Sequence, residues 1–206
     1  MKFITFSGVD GSGKSTQLAL LREKLERENW NVAYFHAIDF SLVNQLARTK
    51  NQNPITKNTQ DQDTGKSKTS ASWCTIFLRK MFLLIDLIRF RFYLKRLKRE
   101  NCDYLLSDRY FYDSIVNIEY LQSADFAFIT HHSSLITHPD TALYLDISPD
   151  TIMSRERAPE QGIEYLRAKQ GLFQQKIKDW NMIVIDAHGK KEDIFNSILK
   201  AISQKL

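Results

Sequence analysis

Cysteine is scarce in this chain, which has only Cys74 and Cys102 among its 206 residues. The two thiols lie far apart in sequence and lack the short spacing of zinc ligands. This pattern argues against a disulfide framework and against a cysteine metal site, and it favours a reducing compartment. We therefore expect a cytoplasmic protein.

Long apolar segments are also missing. The most apolar run, residues 75–94, is interrupted by five charged side chains: Arg79, Lys80, Asp86, Arg89 and Arg91. A membrane-spanning helix needs about 20 consecutive, predominantly apolar residues, so we expect no membrane span. A strand is predicted as early as residue 2, and we therefore expect no signal peptide.

An excess of acidic residues is the third absence. The 29 Lys and Arg outnumber the 24 Asp and Glu, giving a formal net charge of +5. Such a balance favours anionic ligands such as nucleotides. The basic run at 95–99 lies at the end of a predicted helix, where cations complement the helix dipole. We therefore do not expect nucleic acid as a partner.

Residues 8–16 carry the most informative pattern, Gly-Val-Asp-Gly-Ser-Gly-Lys-Ser-Thr. It has the G-x-x-x-x-G-K-[ST] spacing of a phosphate-binding loop, and a predicted strand (2–7) precedes it while an amphipathic helix (to about residue 28) follows. Backbone N–H groups and the helix N-terminus would hold an anion there. The residues expected to bind the nucleotide phosphates and Mg²⁺ are Gly8, Asp10, Gly11, Ser12, Gly13, Lys14, Ser15 and Thr16.

Strands and helices alternate along the chain, which predicts an α/β fold with a parallel sheet covered on both faces. Further strands are expected at 31–37, 102–107, 141–147 and 182–186. Helices are expected at 42–48, at 73–100, twice within 115–136, from 149 through Arg155 and Arg157, at 164–180 and at the C-terminus. Residues 38–41 are expected to be a loop, and 49–72 a long mobile surface loop. We expect a single domain, 1–206.

The helix predicted at 73–100 is apolar nearly all round in its first half, which indicates packing on two sides. A homodimer interface would provide the second side, and coverage by residues 49–72 is the alternative.

Asp108 and Arg109 follow the predicted third strand, at the sheet edge that also holds the phosphate loop. A carboxylate there can hold Mg²⁺ or its water, and a guanidinium can clamp an anionic oxygen. A structural ion pair between the two is the alternative.

Three segments together resemble the thymidylate kinase family: residues 8–17, Asp-Arg-Tyr at 108–110, and Pro-Asp-Thr-Ala-Leu-Tyr-Leu-Asp-Ile-Ser-Pro-Asp at 139–150. The resemblance covers about 2–48 and 103–206. It implies a P-loop NTPase three-layer sandwich with a five-stranded parallel sheet and a small lid at 155–165. It also implies transfer of the γ-phosphoryl group of ATP, with Mg²⁺, to a nucleoside monophosphate, for which dTMP is the first expectation.

The resemblance also implies roles for particular residues. Lys14 would hold the ATP phosphates, Ser15 and Asp108 the metal, and Arg155 would lie near the adenine. Asp10 would face the acceptor, and Arg109 would hold its phosphate. Arg157 would be the lid arginine, a role that some members give to an arginine at the position of Gly11. The remaining acceptor contacts would be Asp108, Tyr110, Ser114, Phe82 and Arg89.

Departures from the family pattern leave alternatives open. Asn117-Ile118 stands where the family has a Tyr-Gln pair that reads thymine, and Phe82 and Arg89 are seven rather than four residues apart. A kinase for a deoxynucleoside or another small acceptor is one alternative. A kinase-derived protein that binds nucleotide without small-molecule transfer is the other.

Overall fold

Five short runs rich in β-branched and aromatic residues form one parallel sheet in the computed structural model, which describes residues 1–42, 73–121, 136–155 and 158–205. The strands are β1 (Lys2–Ser7), β2 (Val32–His36), β3 (Tyr104–Asp108), β4 (Thr141–Asp146) and β5 (Ile183–Asp186). Their order across the sheet is β2-β3-β1-β4-β5. The predicted five-stranded parallel sheet is confirmed.

Helices connect the strands: α1 (Lys14–Arg27), α2 (Ala37–Phe40), α3 (Trp73–Arg99), α4 (Phe111–Leu121), α5 (Pro149–Met153), α6 (Gly162–Lys176) and α7 (Lys191–Lys205). Consecutive residues of the central strands, such as Leu105 and Leu106, are fully buried. Successive strand side chains point to opposite faces, so both faces of the sheet are covered. Among the helices in the described ranges, none combines the length and apolarity needed to cross a membrane.

Two predicted boundaries are wrong in an informative way. Residues 38–41 were expected to be a loop, but Ala37–Phe40 forms one helical turn, because Phe40 packs on Phe35 and the Ser41 N–H closes the turn on the Ala37 carbonyl. The helix expected to include Arg155 ends at Met153. Its start is as predicted, since the Ser148 hydroxyl accepts from the Thr151 N–H and Pro149 occupies the first turn.

Helix α4 begins at Phe111, four residues before the expected start, and α6 runs over Gly162–Lys176 rather than 164–180. The end of the helix predicted at 42–48, the loop predicted at 49–72 and the second helix predicted before residue 136 lie outside the described residues.

The carboxyl ends of the strands meet at one edge of the sheet. Asp108 lies opposite Phe6 of β1 and His36 of β2 in the strand register. The loop that follows Ser7 therefore emerges beside Asp108, and this edge is where ligands bind in open α/β sheets.

Candidate active site

The phosphate-binding loop has the predicted strand–turn–helix context. Gly13 caps the N-terminus of α1 in the left-handed conformation, with φ of 92°. The Ser12 N–H donates to the Val9 carbonyl at 3.2 Å and tightens the turn. The first N–H groups of α1 are thereby directed toward the space that an anion would take.

Lys14 lies under this loop and is 5% exposed. Its ammonium group donates to the carbonyl oxygens of Gly8 at 2.9 Å and Val9 at 2.8 Å, and to the Ser12 hydroxyl at 3.3 Å. Burial lowers the pKa of Lys14, and the negative charges of Asp113, Asp10 and Asp108 act in the opposite direction. A compact, movable cation at the loop is suited to binding nucleotide phosphates.

The surroundings of Gly11 disfavour the arginine that some members of the resembled family have at this position. Its φ is +84°, and a Cβ atom there would lie 2.7 Å from the Ile152 side chain on α5. Any side chain would therefore be strained and would clash. The Gly11 carbonyl instead accepts a hydrogen bond from Arg155, which places that guanidinium on the phosphate loop. A contact of Arg155 with adenine stays a prediction.

The donor set for a metal ion fits Mg²⁺. The Ser15 hydroxyl donates to Asp108 Oδ2, while Asp108 Oδ1 is buried without a hydrogen-bond partner among the described residues. Within those same residues, no group of three His, Cys, Asp or Glu side chains could enclose a metal. A site with one carboxylate and one hydroxyl beside a phosphate loop is typical of Mg²⁺ that also binds substrate phosphates.

Asp10, within the loop, forms an ion pair with Arg109, between Asp10 Oδ1 and Arg109 Nη2. Arg109 has φ of 63°, and two backbone hydrogen bonds hold it there: its N–H donates to the Phe6 carbonyl, and its carbonyl accepts from the Ala37 N–H. The side chain is 27% exposed. The two predicted acceptor-facing residues are therefore brought together, and the guanidinium is accessible.

Two residues of α6 that the sequence reasoning missed also contact Asp10. The Tyr165 hydroxyl donates to Asp10 Oδ2 at 3.0 Å, and Lys169 Nζ lies 3.9 Å from the same oxygen. Burial alone would raise the pKa of Asp10, but Arg109, Lys169, Lys14 and the Tyr165 hydroxyl together lower it. The carboxylate is thus held in its charged form. No local motif marks Tyr165 and Lys169, because their role depends on how α6 crosses the loop.

Asp113 is a further buried carboxylate that the prediction did not assign. Its Oδ2 accepts from the Ser7 hydroxyl at 2.8 Å. Burial raises its pKa, and the charges of Lys14, Arg109 and Lys169 partly counter that effect. Its position in the run after Asp108-Arg109-Tyr110 is a signal that could have drawn attention to it.

The structure places Tyr110 in the core rather than in the acceptor site. Its side chain is fully buried, its hydroxyl donates to the Thr137 carbonyl at 2.6 Å, and its ring packs against Phe3 and Phe90. We therefore assign Tyr110 a structural role, which corrects the sequence assignment. Ser114 lies half-buried on the first turn of α4.

Arg89, whose predicted acceptor contact stays a prediction, is held by Phe40 and Asp86. Its guanidinium donates to Asp86 Oδ1 at 2.7 Å and to the Phe40 carbonyl at 3.0 Å, and it lies 4.5 Å from the Phe40 ring centroid. Arg89 therefore ties α3 to the segment after β2. The sequence interpretation missed Phe40 because the two residues are far apart along the chain. Phe82 is half-buried on α3, and its predicted base contact stays a prediction. Arg157, the predicted lid arginine, lies outside the described residues.

The known proteins that this chain resembles match it over nearly its whole length, although no family model matches it. A probable thymidylate kinase of Sulfurisphaera tokodaii is 25% identical, over 98% of this chain and 95% of the relative. A probable thymidylate kinase of Methanococcus maripaludis is 28% identical, over 100% of this chain and 96% of the relative. The crystal structure of thymidylate kinase from Ehrlichia chaffeensis superposes with a TM-score of 0.62 at 20% identity, covering 98% of both chains. That likeness supports the fold.

Proposed function

We propose, from the premise that this chain belongs with the thymidylate-kinase-like nucleotide kinases, that it transfers the γ-phosphoryl group of ATP to a nucleoside monophosphate, with dTMP as the expected acceptor. The family resemblance that the motifs predict is confirmed by the full-length relatives. The relatives favour neither a deoxynucleoside kinase nor a binding protein without transfer.

The observation that carries the proposal is the pairing of two anion-binding features at one sheet edge. The phosphate loop and the start of α1 bring together Lys14, the Ser15–Asp108 hydrogen bond and the Asp10–Arg109 ion pair. Phosphoryl transfer needs little covalent chemistry from the protein and depends on positioning and positive charge. A donor phosphate chain on the loop and an acceptor phosphate at Arg109 would approach each other directly.

Ser15 and Asp108 are the residues that we propose to hold Mg²⁺, because their oxygens fit a hard cation and Asp108 Oδ1 has no hydrogen-bond partner in the part of the chain that the structure describes. The metal would supply neutralising charge to the ATP phosphates. Lys14 would contact the same phosphates. Asp10, kept charged by its neighbours, would accept a hydrogen bond from the acceptor sugar.

A substrate panel tests the proposal. We expect the protein to form dTDP from dTMP in a reaction that depends on ATP and Mg²⁺. Chromatography of the products would measure this reaction. The other acceptors to be assayed in parallel are dUMP, dCMP, dAMP, dGMP, UMP and thymidine. Turnover with thymidine but not with any monophosphate would support a deoxynucleoside kinase instead. Binding of ATP with background turnover for every acceptor would contradict the proposed kinase activity. A cytoplasmic location stays a prediction.

We also propose a homodimer that forms through α3. Leu78, Met81, Ile85, Ile88 and Phe92 follow the 3-4 spacing of a coiled-coil seam and are 40–66% exposed. The opposite side of the helix, including Leu83, Leu87 and Phe90, is buried in the core. A straight apolar seam on a single helix is self-complementary, so a second copy related by a two-fold axis fits it best.

We expect Ile88→Glu to convert the dimer to a monomer, because it places a charge at the middle of the seam without touching the buried side of α3. Light scattering after size-exclusion chromatography would measure the mass. Val184→Glu is the matched control, since Val184 is an exposed apolar residue (47%) on β5. A monomeric wild-type protein, or an Ile88→Glu variant that remains dimeric, would contradict this interface.

A further inference from the structure

Lys169 is a buried lysine on α6 that faces the acceptor side of the site. Its side chain is 6% exposed, and its ammonium group lies 3.9 Å from Asp10 Oδ2 and 4.7 Å from the centroid of the Tyr165 ring. Burial lowers the pKa of Lys169, while the charges of Asp10 and Asp113 oppose that effect. A buried ammonium group is costly unless nearby negative charge compensates it, and Asp10 supplies that charge here.

The two carboxylate oxygens of Asp10 contact different parts of the fold. Oδ1 pairs with Arg109, at the end of β3, and Oδ2 accepts from Tyr165 and lies near Lys169, both on α6. The ring of Tyr165 packs edge-on against Tyr120 of α4 at 5.1 Å, which holds it in place. Of the two cations that form ion pairs with Asp10, Arg109 is 27% exposed and Lys169 is buried.

The two ion pairs of Asp10 would respond differently when an acceptor phosphate binds. A phosphate dianion would compete with Asp10 for the partly exposed side chain of Arg109, because Arg binds phosphate bidentately. Asp10 would then lose its main counter-charge beside a newly bound anion. Lys169 is buried on a separate helix and stays next to Oδ2, so the carboxylate keeps a positive partner.

We propose that Lys169 is a positioning residue that holds charged Asp10 in place while Arg109 binds the acceptor phosphate. This inference rests on the proposed kinase function. Lys169 acts through Asp10 and leaves ATP binding to the phosphate loop. The role predicts an effect on the acceptor KM, and it predicts that the effect depends on Asp10.

The test is a double-mutant cycle measured as kcat/KM for dTMP. We expect Lys169→Met to lower this value by about tenfold with the KM for ATP unchanged, and Lys169→Arg to restore most of it. Lys169→Met added to Asp10→Asn should cause no further loss, because the residue on which it acts is already neutral. Lys178→Met is the matched control, since Lys178 is exposed just after α6.

The pH profile supplies a readout that a purely structural lysine would not change. The charged and titratable groups that face Asp10 are Arg109, Lys169, Lys14 and Tyr165, and Asp113 faces the same cations. Removing the charge of Lys169 raises the pKa of Asp10, so the acid limb of kcat/KM for dTMP should move to higher pH in Lys169→Met. It should stay in place in Lys169→Arg. The phosphate of dTMP titrates in the same way with every variant, so it does not contribute to a difference between their pH profiles.

Two results would overturn the inference. One is an unchanged acceptor KM and acid limb in Lys169→Met. The other is an equal loss when Lys169→Met is added to Asp10→Asn, which would mean that Lys169 acts independently of Asp10. If Lys169→Met alone does not fold, the neutral pair Asp10→Asn/Lys169→Met is compared with Asp10→Asn. Failure of the proposed function would give a different result from failure of this inference, since the wild-type protein itself would then not phosphorylate dTMP.

Discussion

Replacing Lys14 with alanine is expected to lower kcat by about 10³-fold, equivalent to about 4 kcal/mol of transition-state stabilisation. The ammonium group is within hydrogen-bond distance of two loop carbonyls, at 2.9 Å and 2.8 Å. Its three donors can turn from these carbonyls to phosphate oxygens. Removing it takes away positive charge beside phosphate oxygens that are already negative in the transition state. Steady-state kinetics with dTMP and ATP would measure the loss.

The control for this prediction must separate catalysis from folding, because Lys14 also stabilises the loop. Lys24→Ala is matched to it, since Lys24 lies on the same helix and forms an exposed i,i+4 pair with Glu28. Such pairs contribute little, so wild-type kinetics are expected. Thermal denaturation would verify that the Lys14→Ala variant is folded. A folded Lys14→Ala variant with kcat near that of the wild type would refute the assigned role.

Arg109→Ala is expected to raise the KM for the acceptor monophosphate by about a hundredfold while the KM for ATP changes little. The guanidinium is the accessible cation at the end of β3, and a phosphate group would bind it in place of Asp10. The backbone should tolerate the change, because the hydrogen bonds that fix φ at 63° involve main-chain atoms only. Initial rates over a dTMP concentration series would measure the effect.

Arg96→Ala is the matched control, because Arg96 is exposed near the end of α3 and pairs with Glu100. Arg109→Lys adds a second comparison, since lysine keeps the charge but lacks the planar fork that binds phosphate bidentately. We expect an intermediate acceptor KM for it. An acceptor KM that is unchanged in Arg109→Ala would mean that the acceptor phosphate binds elsewhere, and it would favour an acceptor without a phosphate.

Much of the donor side of the site could be predicted from the sequence. The conformation of the loop at 8–16 is determined by neighbouring residues, because its glycines, its lysine and the start of the helix lie close together along the chain. The alternation of strands and helices likewise predicts the sheet, since burial on both faces requires continuous apolar strands. The meeting of Asp108 with Ser15 follows from adjacent parallel strands ending at one edge.

The acceptor side could be predicted only in part. Sequence pointed to Asp10 and Arg109 but assigned Tyr110 to the site, and the structure buries Tyr110 under β1 and α3. Phe82 and Arg89 stay predicted acceptor contacts on one helix, and the structure adds that the Arg89 guanidinium lies over the ring of Phe40, 49 residues earlier in the chain. Contacts of this kind depend on which helices and strands pack against each other. Local sequence patterns do not predict that packing.

Sequence by itself determined the phosphate loop, the parallel sheet and the place of the site at its carboxyl edge, because each follows from short-range spacing and side-chain burial. Tertiary structure alone decided what surrounds Asp10. Lys169 and Tyr165 come to it from α6, about 155 residues later in the chain. The physical reason is that a local motif can fix how a loop binds an anion, whereas the charge balance of a buried carboxylate is set by every element packed against it.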